Sequence, residues 1–207
     1  MKIGFDVDGV LALFTPTYHK LVVGTSGRNL FEPDDDKNPP CWNTPELRGY
    51  TKKEMSGVWS AITSSRDFWL HLPETPDSST LRMCILDLQR FHDIYFVTNR
   101  PGIDSKWQTE QWLMLHLGIE RPTVLISSMK GLVAKSLKFD CYLDDNLDNA
   151  NDVVLMTLAT DRPVGVEGPT TRTYLLNKSY NQDRLCDSRV TLVDTLGQFL
   201  DKELIHL

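Results

Sequence analysis

Two aspartates stand two positions apart in DVDGV, residues 6–10, directly after the apolar start MKIGF. Side chains at i and i+2 of an extended segment project to the same side, so Asp6 and Asp8 bring two carboxylates together. Such crowding calls for a compensating charge, and a cation with oxygen ligands supplies one. Three more polar clusters follow apolar segments in the same way: Thr98-Asn99-Arg100 after DIYFV, Ser127-Ser128-Met129-Lys130 after TVLI, and Asp144-Asp145-Asn146 after DCYL. If these segments are neighbouring parallel strands, all the clusters gather at one edge of a sheet. Carboxylates, a hydroxyl and a lysine together suit Mg²⁺ and a phosphoryl group whose charge the cation and the lysine neutralise. An aspartate in such a place can also act as a nucleophile, forming an aspartyl-phosphate that water later hydrolyses.

The elements that must position these clusters alternate along the chain. LALFTPTYHKLVV has apolar residues at helical spacing, and residues 24–51, rich in Gly, Pro, Asn and Asp, read as a long loop whose DDDK run is a solvated patch. Thr51 and Glu54 form a capping-box pattern ahead of a helix carrying Met55, Val58 and Ile62. Leu81, Ile85, Leu88 and Phe91 give another helical stripe before the strand DIYFV, and KWQTEQWLMLHLG is a helix closed by Gly118. The strand PTVLIS, a short helix over SMKGLVAKSLK and the strand FDCYL follow. DDNLDNAND reads as an acidic loop, VVLMTLA as a strand and TLVDTLGQFLDKEL as a final amphipathic helix, while RTYLLNKSYNQD has two readings, a segment folding back towards the site or, preferred, a plain surface loop. The alternation predicts a doubly wound, parallel α/β sheet, in which ligands bind beyond the carboxyl ends of the strands.

Composition narrows the function classes. The chain has 207 residues, 41% of them hydrophobic, which suits one globular domain with room for a sub-domain. A net charge of −6 gives no overall field favouring nucleic acid or anionic membranes. No stretch reaches the roughly 18 uninterrupted apolar residues of a membrane helix, and the N-terminus lacks the pattern of a signal peptide. Cys41, Cys84, Cys141 and Cys186 form no CxxC pair, so zinc and dithiol chemistry are disfavoured and a cytoplasmic protein with reduced thiols is expected.

Taken in order, DVDGV, YFVTNR, a lysine and YLDDN resemble the four motifs of the haloacid dehalogenase superfamily of phosphotransferases. The motifs span residues 6–146, about two thirds of the chain. The resemblance implies that Asp6 is the nucleophile and that Asp8 is the acid that protonates the leaving oxygen and the base that later activates water. Gly9 would let the backbone turn sharply at the phosphate. Thr98 and Lys130 would hold the phosphoryl oxygens, with Lys135 as the alternative lysine. Mg²⁺ would be bound by the Asp6 carboxylate, the Asp8 backbone carbonyl and an acid of the Asp144-Asp145 pair, Asp144 being favoured. Asn99 and Arg100 are candidate substrate contacts; Arg100 has two readings, a residue that binds phosphate or a substrate carboxylate, or one that forms a surface ion pair. Family members that cleave carbon–halogen bonds lack an acid at the Asp8 position, so phosphomonoester hydrolysis is the expected reaction.

The stretch FWLHLPETPDSSTLRMCILDLQRFHDIYFVTNRPG resembles the region before the second motif in the 5′(3′)-deoxyribonucleotidase branch and in related phage and bacterial proteins. That likeness implies a small helical cap over residues 15–75, inserted into a core made of residues 1–14 and 76–207. In that branch, aromatic residues of the cap stack on a nucleobase. Phe14 and Tyr18 are the first candidates for that role here, with Trp42, Trp59, Phe68 and Trp69 also available. The expected substrate is a small phosphorylated metabolite, a nucleoside monophosphate above all. A polynucleotide 3′-phosphatase of the same superfamily and a non-catalytic binding module are the competing readings.

Overall fold

A computed structural model of the chain describes residues 1–158, 171–182 and 184–204. Its centre is a six-stranded parallel sheet of β1 (Lys2–Phe5), β2 (Asp93–Thr98), β3 (Thr123–Ile126), β4 (Cys141–Asp144), β5 (Arg172–Leu176) and β6 (Val190–Val193). The strand order is β3-β2-β1-β4-β5-β6, so β1 lies between β2 and β4 and the winding reverses direction beside it. That reversal opens a crevice beyond the carboxyl ends of β1 and β4. It brings the polar ends of β1 to β4 to one edge, as the sequence predicts.

Pleating sorts the strand residues between two apolar layers. Ile3, Phe5, Phe96 and Leu143 face one layer, shared with Leu81 and Ile85 of α4 (Ser78–Phe91), Trp112 and Leu113 of α5 (Ser105–Leu117) and Phe199 of α8 (Leu196–Leu204). Val97 and Tyr142 face the other, against Ala134 of α6 (Lys130–Leu137) and Val153 of α7 (Leu147–Met156).

The segment expected to form the cap contains α1 (Phe14–Ser26), α2 (Thr44–Leu47), α3 (Lys52–Ser64) and a 3₁₀ turn, Phe68–His71. The helix α3 starts at the predicted capping box: the Thr51 hydroxyl accepts from the Glu54 amide at 3.2 Å, and the Glu54 carboxylate accepts from the Thr51 amide at 2.7 Å. Tyr18, Val22, Met55, Val58 and Ile62 join the same apolar cluster as Ile3 and Phe5, so one continuous core runs from the sheet into these helices.

Four details differ from the sequence reading. The LDNAND part of the predicted acidic loop and the VVLM part of the predicted strand form one helix, α7, because the Asn146 side chain caps it by accepting from the Asp148 and Asn149 amides. Leu147, Ala150, Val153 and Val154 then all face inward, and packing overrides the β preference of the valines. Ala159 of that segment lies outside the described residues. RTYLL is the buried strand β5 rather than a surface loop, and the last helix begins only at Leu196, after VTLV has paired as β6. The DDDK run is not simply solvated: Asp35 is buried against the Arg48 guanidinium at 2.7 and 2.8 Å, and Asp36 meets His19 at 2.8 Å. These pairs tie down the long loop. No helix among the described residues is long and apolar enough to cross a membrane.

Candidate active site

The strand β1 delivers Asp6 and Asp8 to the crevice. The Asp6 carboxylate accepts from the Val7 amide at 2.7 Å and from Lys130 Nζ at 2.6 Å, both through Oδ1, leaving Oδ2 without a hydrogen bond among the described residues. Lys130 opens α6, where Asp152 accepts from the next amide, Gly131, at 2.8 Å. Its ammonium, 3% exposed, also reaches Asp144 Oδ2 at 3.1 Å. Burial alone would lower the Lys130 pKa, but Asp144 and Asp6 outweigh it and hold the ammonium charged. Lys135 is exposed further along α6, so Lys130 is the lysine at this site.

The adjacent acids after β4 have different environments. Both oxygens of Asp144 are engaged: Oδ2 accepts from Lys130 and from the Tyr142 hydroxyl at 2.9 Å, and Oδ1 from the Asn146 amide at 2.8 Å and Asn149 Nδ2 at 3.1 Å. Asp145 takes the Tyr180 hydroxyl on Oδ2, while its Oδ1 is buried with no hydrogen-bond partner among the described residues. A buried carboxylate oxygen without a donor is costly unless something positive occupies the space beside it. Oxygens of Asp6, Asp144 and Asp145 lie within 4.8 Å of one another, a donor set that suits a hard cation. Burial pushes the Asp6 carboxyl well above the usual range, Lys130 opposing and the neighbouring acids adding to the rise. Burial and Asp144 push Asp145 up to about 7. Gly9, at φ 81°, makes the approach of Asp145 possible, since a Cβ there would meet Asp145 Oδ2 at 1.7 Å.

Sequence reasoning admits a fold-back of the segment carrying Tyr180 and Asn181 towards the site, prefers a surface loop, and singles out neither residue. The Asn181 side chain donates to the Asp145 carbonyl at 2.7 Å, and the Tyr180 ring lies 4.9 Å from that of Trp42. A usable signal was present: NKSYN follows the apolar RTYLL just as the other polar clusters follow their strands.

A cavity of about 340 Å³ covers these groups, and Asp6, Asp8, Thr98, Asn99, Lys130 and Asp145 line its floor. Phe14, Tyr18, Trp42, Trp59 and Trp69 line its upper wall, with Asn43 and Glu46 beside them. The Phe14 ring is nearly parallel to Tyr18, Trp59 and Trp69, at centroid distances of 5.0, 6.1 and 5.8 Å. Phe68 does not line the cavity; it supports Phe14 edge-on at 6.3 Å. Arg100 does not line it either. It is fully buried beneath the floor and grips Asp8, so the ion pair it forms is a buried one rather than the surface pair expected, and it is not a substrate contact.

No protein-family model and no curated protein sequence matches the chain. Several solved structures do. A HAD family hydrolase from Deinococcus radiodurans R1, with bound phosphate and sodium, superposes with a TM-score of 0.56 at 10% identity, over 99% of this chain and 95% of its own. Bacillus subtilis YfnB bound to magnesium gives 0.54 at 14% identity, over 100% and 98% of the two chains. A HAD hydrolase of family IA from Entamoeba histolytica gives 0.51 at 10% identity, over 99% and 97%. At such identities the likeness is one of architecture, and on that ground the chain has the haloacid-dehalogenase-like α/β fold.

Proposed function

We propose that this chain is a Mg²⁺-dependent phosphomonoesterase that passes a phosphoryl group from substrate to Asp6 and then to water. The observation that carries the reading is the buried Oδ1 of Asp145, without a donor among the described residues and within reach of Asp6. Asp6 and Asp145 would hold the cation with their side chains, joined, by the resemblance, by the Asp8 backbone carbonyl. Asp144, the acid favoured from sequence, is committed to Lys130, Tyr142, Asn146 and Asn149 and braces the lysine instead. When bound, the cation supplies charge neutralisation for the acids and for the transferring phosphoryl oxygens.

This chain's own residues do the rest. Asp6 Oδ2 attacks phosphorus, since Oδ1 is held by Lys130 and Val7. Lys130 holds phosphoryl oxygens, while the Thr98 hydroxyl, expected beside it from the resemblance, gives its single proton to Asp8 Oδ2. Asp8 gives its proton to the leaving oxygen, and in the second step takes one from the water that attacks the phosphorus of aspartyl-phosphate. Phosphate bound in the Deinococcus hydrolase and magnesium in YfnB support both halves of this reading by analogy of fold.

The wall of the cavity supports a nucleoside monophosphate as substrate. Its aromatic rings offer flat apolar surface for a base. Among the described residues lining the cavity, Lys130 is the sole cation, enough for one phosphate and unsuited to the several of an oligonucleotide. The polynucleotide 3′-phosphatase reading is the weaker for that reason.

The experiment is hydrolysis of a panel of nucleoside monophosphates and p-nitrophenyl phosphate in Mg²⁺ and in EDTA. Turnover should require Mg²⁺ and fall at least about a thousandfold in Asp6→Asn. Metal-independent turnover, or an active Asp6→Asn enzyme, would refute the mechanism.

A further inference from the structure

The buried pair beneath the floor is more elaborate than a fold-stabilising contact requires. The Arg100 guanidinium donates Nε–H to Asp8 Oδ2 at 2.9 Å and Nη2–H to Oδ1 at 2.8 Å. Its third nitrogen, Nη1, donates to the Thr109 hydroxyl at 3.2 Å. Behind it stand two indole rings, Trp69 with its centroid 5.2 Å from the guanidinium carbon and Trp112 at 6.0 Å. These rings are themselves anchored, since Trp69 Nε1 donates to the Pro101 carbonyl and Trp112 Nε1 to that of Leu72. Arg100 is 0% exposed, whereas Asp8 keeps an edge in the cavity. The cation cannot touch substrate. It acts through Asp8.

We propose that Arg100 is a positioning residue for proton transfer, holding the Asp8 carboxyl in one orientation with Oδ1 as its proton-carrying oxygen. The inference rests on the reading of Asp8 as the acid and base of the reaction. The fork fixes the plane of the carboxyl, which a single point charge cannot do. The Thr98 hydroxyl also donates to Oδ2, at 3.1 Å, so Oδ2 carries two donors and Oδ1 one. The less occupied oxygen retains a lone pair for the proton. In the first step the proton leaves Oδ1 for the ester oxygen as the ester P–O bond breaks and the Asp6–P bond forms. In the second, water attacks phosphorus and returns a proton to Oδ1, and the Asp6–P bond breaks to release inorganic phosphate. Protons and bonds balance over the cycle without any further reactant.

The test uses leaving groups of different basicity. Phenyl phosphate expels a basic phenolate that needs the proton, and p-nitrophenyl phosphate expels a weakly basic one that does not. Comparison of kcat/KM confines the measurement to steps up to formation of aspartyl-phosphate, before Asp8 serves as base. Arg100→Lys, which keeps the charge and the stem against the indoles, should lose roughly a hundredfold on phenyl phosphate and less than about tenfold on the nitro ester. Arg100→Gln should do the same, and combining it with Asp8→Asn should add little to the loss caused by Asp8→Asn alone. Thermal melting identifies a variant that fails to fold; if Arg100→Gln is lost in that way, Arg100→Lys carries the test. Equal losses on both esters, or additive losses in the double variant, would overturn the positioning role. Asp8→Asn activity with no leaving-group dependence would instead overturn Asp8 as the acid, and the inference with it.

Discussion

The floor of the cavity and its upper wall are built from opposite chemistry. Asp6, Lys130 and Asp145 on the floor are 5% exposed or less, while Trp42 and Trp59 on the wall are 40% and 38% exposed. Floor residues are locked by ion pairs and hydrogen bonds that, among the described residues, leave Asp6 Oδ2 and Asp145 Oδ1 without a donor. Wall residues contact mainly other rings. Buried charges held in place cost no reorganisation when a phosphoryl group arrives, which favours reaction. A half-open aromatic surface binds a flat group with little directional demand, which favours selection. In the proposed function, chemistry belongs to the sheet edge and substrate choice to the helices and loop above it.

The largest expected effect tests whether the floor is organised for a cation. Asp6 and Asp145 are harder to ionise in the fold than in the unfolded chain, Asp145 titrating near 7 against 3.8. A raised carboxyl favours the folded state fully below the unfolded pKa, and that contribution is lost as the pH rises through the folded one. Metal-free protein should therefore be less stable at pH 8 than at pH 5, by on the order of a few kcal/mol. Thermal melts in EDTA measure this, and excess Mg²⁺ should shrink the difference by favouring the ionised acids. A metal-free melting temperature that does not move between these pH values would show that burial does not burden the floor.

A smaller effect should come from the phenol that steadies Asp145. Tyr180→Phe keeps the ring against Trp42 but removes the donor to Oδ2. Calorimetric titration should show Mg²⁺ affinity falling roughly ten- to a hundredfold. Unchanged affinity would mean that Asp145 needs no such support.

The smallest effect isolates the wall. Trp59→Ala removes a ring 6.1 Å from Phe14 and 5.5 Å from Tyr18. The KM for a nucleoside monophosphate should rise about tenfold, as loss of one stacking partner implies, while inhibition by inorganic phosphate, which occupies the floor alone, stays unchanged. If both constants move together, the separation of floor and wall fails.

Much of the floor was legible because its signals are local. Asp6, Thr98 and Asp144 each sit at the end of an apolar run, and a parallel sheet carries such ends to one edge. The capping box at Thr51 was readable for the same reason, its partners being three residues apart. The valines of α7 misled because branched residues favour strands, and the Asn146 cap and inward packing outweighed that preference. Arg100 was ambiguous because a guanidinium serves an anion or a carboxylate equally well. Tyr180 was passed over because its partner stands 35 residues away.

The sequence by itself determined the chemical inventory and its gathering: the acids, the lysine and the hydroxyl, each placed by a short strand-and-turn pattern at one sheet edge. Only the tertiary structure decided how the two adjacent aspartates divide their work. Asp144 and Asp145 are identical in type and neighbours in the chain. They differ because Lys130, Tyr142, Asn146 and Asn149 converge on the first, while Tyr180 leaves one oxygen of the second without a donor. Hydrogen-bond saturation depends on which distant side chains arrive, and packing of the whole chain sets that.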